Sequence, residues 1–295
     1  MFNKRSGEFL RIIILFLFGQ MLIVSAVSTS EAAEEVQKPF SFAVSAMTSA
    51  AKTFIHFTEF RDYLAEKLGR PVLMKQRRTY EEINQLLRTD EVSMAFICTG
   101  GFLEGRRTFG LEVLATPIVG GVTTYQSYII VAKGHSAAKI SDLRGSVFAF
   151  TDPLSLTGCI YPTAKINAMG EKTTNFFKKT FYTASHDKSI AAVANGVADA
   201  AAVDSLIYKA LMKNPQSVAH KVKVIETSEY FGMPPIVVSS AMSKEEKLAV
   251  LKILLGMESD PEGKRVLKAL DFNGFTITDP AMYHSALLLM KQVTE

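Results

Sequence analysis

The sequence predicts an α/β protein of two lobes that form a clamshell, each lobe a mostly parallel β-sheet flanked by helices. Three observations lead to this fold class. Apolar runs of strand length alternate with segments of helical periodicity, the alternation occurs twice, and an apolar run after Pro234 and Pro235 returns the chain to the first unit. Two lobes connected by two extended crossings can close on a ligand that lies between them.

The first element along the chain is an export signal, predicted for residues 1–33. Three basic residues precede an apolar run over 12–27, and small residues follow it, which is the pattern of a secretory signal peptide. Cleavage is expected after Ala26, Ala32 or Ala33. A permanent membrane anchor is the alternative, but the run is short for a membrane span. The mature chain is therefore expected to function outside the cytoplasm.

The first lobe is predicted to comprise residues 34–131 and 230–295. Aromatic and leucine side chains on one face indicate a helix over 51–68. Thr79 and Glu82 form a capping box that begins the next helix. The other predicted strands are 40–45, 71–74, 94–98, 113–119, 128–131 and 236–239, and the other predicted helices are 244–257, 261–270 and 280–292.

The second lobe, residues 132–229, is predicted to be inserted into the first. Gly196 lies in the C-cap position of one of its helices. Its predicted strands are 147–150, 181–183, 200–203 and 222–225, and its predicted helices are 158–169, 189–195 and 206–212, with a short turn at 140–143.

Composition excludes several classes of function. The 33 basic and 29 acidic residues are interspersed, so no basic block of the kind that binds nucleic acid is present. Two cysteines make no disulfide scaffold, and five scattered histidines show no metal-binding spacing, so neither a metal nor a cofactor is predicted. No nucleophile elbow surrounds Ser155 or Cys159, and no third group orients His186, so the chain is not predicted to be an enzyme.

The segment 150–159 carries the clearest chemical signal of the chain, because it follows a strand and begins a helix. Free N–H groups and the positive end of the helix dipole favour an anion there. Ser155 and Thr157 add hydroxyl donors, so a tetrahedral oxyanion can be bound without a full positive charge. The alternative is an ordinary hydroxyl N-cap.

Several motifs in this order resemble one known family. Residues 57–72 contain a Tyr-Leu pair followed by Leu68-Gly69-Arg70-Pro71-Val72, and Asp152-Pro153-x-Ser155-x-Thr157-Gly158 comes after Asp142-Leu143-Arg144-Gly145. Ser185-His186-Asp187 and Val203-Asp204-Ser205 follow. The pattern is similar to that of periplasmic binding proteins for phosphonate and related oxyanions, which have the type II clamshell fold and serve ABC importers. The resemblance covers nearly the whole mature chain.

The resemblance implies a role for each matching residue. The loop of Ser155, Thr157 and Gly158 would surround the anion, and His186 would donate to an oxygen. Asp204 would accept from a protonated ligand oxygen and disfavour a fully ionised ligand. The local sequence is also compatible with a surface cap at His186 and an N-cap at Asp204.

Two further features bear on the ligand. Tyr125 and Ser127 fall on the first crossing strand and face either the cleft or their neighbours in the sheet. The family usually has an aromatic residue after the first strand, but residues 45–49 contain none. This absence favours a small inorganic oxyanion over an aminoalkyl-phosphonate.

Cys98 and Cys159 are predicted to face each other across the cleft, with Thr99 beside the first. Cys98 is an inert buried thiol, half of a disulfide, or a ligand-sensing group. Cys159, at a helix N-terminus, is expected to be the more reactive thiol. A cysteine near the position of Cys98 resembles arsenite-binding members of a sensory branch, which makes it a candidate for binding arsenic.

We therefore expect a periplasmic solute-binding protein that captures a small oxyanion of the phosphate, phosphite or phosphonate class and delivers it to the permease of an ABC importer. The alternative is an arsenite- or arsenate-binding sensor protein that uses Cys98 and contacts the periplasmic domain of a membrane histidine kinase. No nucleic-acid partner is expected.

Overall fold

The computed structural model describes residues 39–294. The predicted signal segment, residues 1–33, lies outside this range. No helix within the described range combines the length and the apolar character that a membrane span requires.

The described chain contains strands in two main sheets and one short ribbon. Their bounds are β1 Phe40–Val44, β2 Val72–Gln76, β3 Met94–Phe96, β4 Glu112–Ile118, β5 Thr124–Tyr125, β6 Ser127–Ala132, β7 Val147–Phe150, β8 Lys179–Tyr182, β9 Ala200–Asp204, β10 Val222–Thr227, β11 Phe231–Gly232, β12 Ile236–Val238 and β13 Gly274–Thr276.

Helices cover the faces of both sheets. They are α1 Ala50–Leu68, α2 Tyr80–Arg88, α3 Thr99–Phe109, α4 Tyr161–Asn167, α5 Thr173–Phe176, α6 His186–Ala194, α7 Ser205–Met212, α8 Lys244–Gly256, α9 Pro261–Leu270 and α10 His284–Thr294, with 3-10 turns at Ile140–Leu143, Val218–Lys221 and Pro280–Tyr283 and a π-helical turn at Leu156–Ile160.

One sheet has six strands in the order β13-β4-β12-β3-β1-β2, and the other has five in the order β10-β6-β9-β7-β8. The two sheets share no strand. We call the first sheet with α1, α2, α3, α8 and α9 the six-stranded half, and the second sheet with α4, α5, α6 and α7 the five-stranded half. The ribbon, in which β5 pairs antiparallel with β11, lies where the chain passes between them.

Both sheets are mixed, and within each of them most strands run in the same direction, as expected. Strands β1, β2 and β3 are parallel, as are β7, β8 and β9. Strands β12 and β6 come directly from the ribbon and run antiparallel to their neighbours. In each sheet, the carboxyl ends of the parallel strands therefore lie at one edge, which is where open α/β folds bind ligands.

Local sequence accounts for several helix ends. The capping box of α2 is confirmed, with the Glu82 amide donating to Thr79 Oγ1 at 3.2 Å and the Thr79 amide donating to Glu82 Oε2 at 2.9 Å. Helix α9 has the predicted bounds because Asp260 caps it and Pro261 occupies its first turn. Two expectations are wrong. The helix predicted for 158–169 begins instead as the π-helical turn, and the one predicted for 280–292 is a 3-10 turn followed by α10.

Aromatic residues form much of the core. Helix α1 packs on the six-stranded sheet through Phe60, whose ring meets that of Phe42 edge to face at 5.7 Å between centroids. In the five-stranded half, Phe148 and Phe177 stack at 4.4 Å. Such pairs add to the stabilisation from burying apolar surface. Each sheet is thereby a rigid base for the loops at its strand ends.

Candidate functional site

The carboxyl ends of the parallel strands in the two halves face each other and are in direct contact. The amide of His186 donates to the carbonyl oxygen of Met47 across this cleft at 3.1 Å. The residues that follow β1 and β3 thus meet those that follow β7, β8 and β9. Several of the predicted site residues lie at this contact, among them Cys98, Ser155 and His186.

The loop that begins the π-helical turn is held by hydrogen bonds within its own half. Ser155 Oγ accepts from the Gly158 amide at 3.0 Å, and Ser127 Oγ donates to the Thr157 carbonyl oxygen at 2.6 Å. A Cβ atom on Gly158 would lie 2.4 Å from Thr151 Oγ1, so only glycine fits there. Ser127 consequently fixes the position of the loop, and the Thr157 side chain is left without a partner among the described residues.

His186 is completely buried and is not a surface cap. Its Nδ1 accepts from the Asp204 amide at 3.1 Å, which places the ring proton on Nε2. Nε2 lies 3.4 Å from Ser155 Oγ. Burial lowers the pKa of this imidazole from an ordinary 6.5 to about 3. His186 is therefore a neutral ring with an N–H donor beside the anion loop.

Asp204 is the last residue of β9 and is buried. Its Oδ1 accepts from the Leu206 amide at 2.6 Å, so this oxygen caps α7. Burial raises the pKa of the carboxyl from an ordinary 3.8 to about 7, although the backbone donors of α7 oppose the rise. Asp204 thus combines the helix-capping role with a carboxyl group that titrates near neutral pH.

Several buried hydroxyl groups at the cleft make no hydrogen bond of good geometry among the described residues. These are Ser45 Oγ, Tyr80 OH, Tyr125 OH and Thr157 Oγ1, although Ser155 is close enough to Tyr80, and Thr99 to Tyr125, to lower the pKa of each phenol as a hydrogen-bonding neighbour. Burial raises the pKa of both tyrosines, and the nearby Cys98 and Asp204 add to the rise. Tyr80 is also beside Ser155. Because an unpartnered buried hydroxyl is costly, a group of them around one loop indicates a site for an oxygen-rich ligand.

Sequence reasoning did not identify Tyr80 or Ser45. Tyr80 is the first residue of α2 and has the pattern of a core aromatic. The absence of an aromatic ring after β1 is offset by Tyr80, which brings a ring to the site from another element. Of the other predicted residues, Tyr125 lies in the site on β5, and Thr99 Oγ1 donates to the Gly232 carbonyl oxygen at 2.9 Å and so ties α3 to the ribbon.

The two cysteines are free thiols with different surroundings. Cys98 is at the site, where the N–H groups of Gly100 and Leu156 point at its sulfur. Cys159 Sγ lies instead 3.8 Å from the Tyr182 hydroxyl oxygen. Burial raises the pKa of both thiols to about 11, so the helix N-terminus does not lower the pKa of Cys159 as expected. The disulfide alternative is not observed.

A groove of about 1000 Å³ lies beside the site and is lined in part by Tyr125 and by Ser205, the residue after Asp204. Lysines from α7 and α9 line this groove, and Lys213 forms an ion pair of 2.6 Å with Asp271 from the opposite half. Among the side chains that the structure describes, no lysine or arginine is buried. The site itself consequently offers an anion neutral donors and helix ends, while the cations lie in the groove outside it.

Comparison with known proteins gives a consistent picture. The model of the family described as "ABC transporter, phosphonate, periplasmic substrate-binding protein" matches residues 42–283. The phosphonates-binding periplasmic protein of Escherichia coli K12 is 26% identical over 270 residues, which cover 90% of this chain and 80% of that protein.

Solved structures show the same fold. A binding-protein component of a phosphonate ABC transporter from Pseudomonas aeruginosa has a TM-score of 0.78 and 23% identity, covering 87% of this chain and 86% of that one. PhnD1 from Prochlorococcus marinus, in complex with methylphosphonate, has a TM-score of 0.79 and 17% identity, covering 87% and 98%. The chain therefore has the two-lobed type II periplasmic binding protein fold.

Proposed function

The chain belongs to the family of periplasmic substrate-binding proteins of phosphonate ABC transporters, and from this premise we propose that it captures a small phosphonate-class oxyanion between its lobes. It then delivers this anion to the permease of an ABC importer. The family works in the periplasm, and we assign residues 1–33 as the signal that exports the chain there.

The observation that carries this proposal is the neutral His186 ring beside Ser155 of the anion loop, together with the buried Thr157 hydroxyl of that loop, which has no partner among the described residues. Ser45, Tyr80, Tyr125 and Thr157 supply O–H donors, and the imidazole supplies an N–H donor. Neutral donors in a buried site hold an anion through directed hydrogen bonds. They also discriminate against ligands that lack oxygens in the matching positions, because the donors are then left unpaired.

Asp204 bears on the charge of the ligand. A carboxyl that titrates near pH 7 can share one proton with a ligand oxygen, whereas two fully ionised groups in contact would repel each other. This favours a singly protonated oxyanion. Because Tyr80 supplies a ring, the earlier preference for a purely inorganic ligand loses its basis, and a phosphonate with a small organic group is favoured.

We also propose that the lobes move about the β5–β11 ribbon. The sequence-based boundary at 131/132 would cut through β6, which pairs with β9 and β10 of the five-stranded sheet. We therefore place the first boundary before β6, near residue 126, and keep the second near 229/230.

We propose that the bound anion undergoes no covalent reaction in the site. His186 carries its proton on Nε2, the atom nearest Ser155, and its Nδ1 is occupied by the Asp204 amide. The ring therefore has no free lone pair with which to deprotonate Ser155. Bound phosphonate should be released unchanged.

A ligand panel tests the function. Thermal shift and calorimetry are measured with methylphosphonate, aminoethylphosphonate, phosphite, phosphate, sulfate, arsenate and arsenite, because a ligand that binds the folded state raises the melting temperature by mass action. Methylphosphonate or phosphite is expected to give the largest shift, and sulfate, which is fully ionised, the smallest. A panel in which no phosphorus oxyanion shifts the melting temperature would contradict the proposal.

The alternative of an arsenite or arsenate sensor has no support in the matched family or in the relatives named above. Those proteins are the ligand-binding components of transport systems. Arsenite remains in the panel only as a control for the thiol at the site.

A further inference from the structure

Two carboxylates of the five-stranded half bind the N-termini of two helices in the six-stranded half. Asp187 Oδ1 accepts from the amide of Ser49, the N-cap residue of α1, at 3.0 Å. Asp152 Oδ2 accepts from the amide of Tyr80, the first residue of α2, at 3.1 Å. Both hydrogen bonds cross the cleft, so they exist only while the halves are in contact.

Each carboxylate is also fixed within its own half. Asp187 Oδ1 accepts from Ser185 Oγ at 2.7 Å and from the Lys188 amide at 3.1 Å. Asp152 Oδ1 accepts from the Leu154 amide at 2.9 Å. Both side chains are therefore held in place and need little reordering when the opposite helix arrives.

The helix ends that they meet carry partial positive charge and free N–H groups. In α1, Ser49 makes no capping hydrogen bond with its own side chain. In α2, the capping box satisfies the amides of Thr79 and Glu82 and leaves the Tyr80 amide to Asp152. The opposite half thus supplies acceptors that these two helices do not supply themselves.

The two carboxylates are adjacent in sequence to the residues proposed to bind the anion. Asp187 follows His186, and Asp152 lies three residues before Ser155. The carboxylates and the proposed anion-binding groups therefore belong to the same surface of the five-stranded half. Closing the six-stranded half over a bound anion brings the N-termini of α1 and α2 onto both carboxylates.

We propose that Asp152 and Asp187 are positioning residues that hold the cleft closed by capping α1 and α2 across it, and so set how long a bound anion stays. The identity of the ligand in this inference rests on the proposed function, whereas the two hydrogen bonds across the cleft do not depend on it. The caps form only in the closed arrangement, so losing them speeds release of the ligand and leaves association nearly unchanged.

The test uses Cys98, which is buried in the closed cleft, as a reporter of opening. In a Cys159→Ser background, its rate of reaction with a thiol reagent is measured with and without methylphosphonate, and release of methylphosphonate is followed by stopped flow. The variants are Asp187→Ala, Asp152→Ala, Asp187→Asn and Asp152→Asn. Asn caps a helix about as well as Asp, so the Asn variants should keep the slow Cys98 labelling and slow ligand release of the wild type, which the Ala variants lose.

Asp260→Ala is the matched control. Asp260 Oδ2 accepts from the Gly263 amide at 2.7 Å and so caps α9 within the six-stranded half. Its loss should lower the melting temperature without changing Cys98 labelling. Since Asp152 also orders the loop through Leu154, Asp187 is the cleaner of the two positions.

Each Asp→Ala change is expected to speed Cys98 labelling and ligand release about fivefold, the typical value of one N-cap. Equal labelling and release rates in all variants, with and without methylphosphonate, would overturn the proposal. Faster labelling that Asn fails to restore would also overturn it, because it would reflect damage to the fold. If no panel compound protects wild-type Cys98 while Asp→Ala still speeds its labelling, the proposed ligand is wrong and the capping stands.

Discussion

The two halves contribute to the site in different ways. In the five-stranded half, Ser155 and His186 are already linked to each other and to the backbone by hydrogen bonds. In the six-stranded half, Ser45 and Tyr80 bring buried hydroxyls that make no hydrogen bond of good geometry in the described chain. The anion loop and the imidazole of the five-stranded half are therefore prearranged for an anion, with the Thr157 hydroxyl there left for the ligand, and we expect the hydroxyls of the six-stranded half to be satisfied only when a ligand lies between the halves.

This difference suggests that one half determines the affinity for the ligand and the other determines which ligand is accepted; we call this the division of labour. Prearranged groups lose little entropy on binding, so the five-stranded half should provide most of the affinity. Unpartnered groups that arrive on closure should determine which ligand allows the halves to meet. Substitutions in the two halves therefore have different expected consequences.

The largest effect is expected from the double variant Ser155→Ala/Thr157→Ala, which removes two donors from the prearranged half. Hydrogen bonds to a charged ligand contribute about 1.5–3 kcal/mol each, so affinity for methylphosphonate should fall by about a hundredfold or more. Calorimetry measures this loss. The cap on the Gly158 amide is also lost, so the melting temperature of the free protein should fall by a few degrees.

Ser243→Ala is the matched control for that loss of a cap. Ser243 Oγ accepts from the Glu246 amide at 3.1 Å at the start of α8. It should lower the melting temperature similarly and leave affinity unchanged. If the double variant binds methylphosphonate as well as wild type, the loop is only a helix cap and the division of labour fails.

The next largest effect is expected from Gly100→Ala in the six-stranded half. A Cβ atom there would lie 2.2 Å from the Leu154 carbonyl oxygen of the five-stranded half. The clash exists only across the cleft, so the free protein should fold normally while closure is blocked. Affinity should fall by at least about tenfold, equivalent to about 1.4 kcal/mol.

Gly256→Ala serves as the control, because a Cβ atom at that position in α8 meets nothing within 4 Å. It should leave affinity unchanged and slightly stabilise the helix. Equal affinities in the two glycine variants would show that the halves need not approach as closely as they do here.

Local sequence predicted the elements whose ends it encodes. The capping box at Thr79 and the Asp260-Pro261 start of α9 are local signals and gave nearly correct helix bounds. Helix α3 was not predicted, because Gly100, Gly101 and Gly105 give its sequence low helix propensity. Tertiary contact explains the first of these glycines, since no larger residue fits against Leu154.

The site was predictable where a motif encodes it and not where it is assembled over long range. Ser155, His186 and Asp204 follow strands in recognisable motifs, and the structure brings them together. Tyr80 comes from the opposite half, and no local pattern separates it from a core aromatic. The contact between Cys159 and Tyr182 was not predicted, because it joins the π-helical turn to the end of β8 and no local pattern encodes it.

A smaller effect on ligand affinity is expected from a change of pH. Its size depends on two titratable groups of the five-stranded half, Asp204 and His186. Burial raises the pKa of Asp204 to about 7, and we expect closure to complete this burial, so its favourable contribution is complete below about pH 4 and is lost as pH rises through 7. Burial lowers the pKa of His186 to about 3, and on the same expectation its contribution is complete above pH 6.5 and is lost as pH falls. Between pH 6.5 and 4 the two contributions oppose each other.

Wild-type affinity should therefore vary little over that range apart from titration of the ligand. Asp204→Asn should make affinity fall on acidification, and His186→Gln should make it rise, each by several-fold per pH unit and at most about tenfold. Calorimetry with methylphosphonate from pH 7 to 4.5 measures the two slopes. Parallel slopes in the two variants would contradict the opposed titrations.

The smallest effect on ligand affinity is expected from substituting the thiol at the site. A cysteine occurs in each half, so the two substitutions can be compared. Cys98 belongs to the six-stranded half and Cys159 to the five-stranded half. Burial raises the pKa of both thiols to about 11, so both are neutral. A neutral thiol is a weak donor and a weak acceptor, and a hard phosphorus oxyanion gains little from it.

Cys98→Ser should change methylphosphonate affinity by less than about threefold, because the serine oxygen can accept the same N–H groups of Gly100 and Leu156. Cys159→Ser is the matched control, since the neighbour of its sulfur is the Tyr182 hydroxyl. Calorimetry under reducing conditions compares the two variants with methylphosphonate and with arsenite. A loss of methylphosphonate affinity above tenfold in Cys98→Ser alone would make the thiol a direct ligand contact. Arsenite binding that disappears only in Cys98→Ser would show that the six-stranded half selects for a soft ligand, because trivalent arsenic prefers sulfur to oxygen donors.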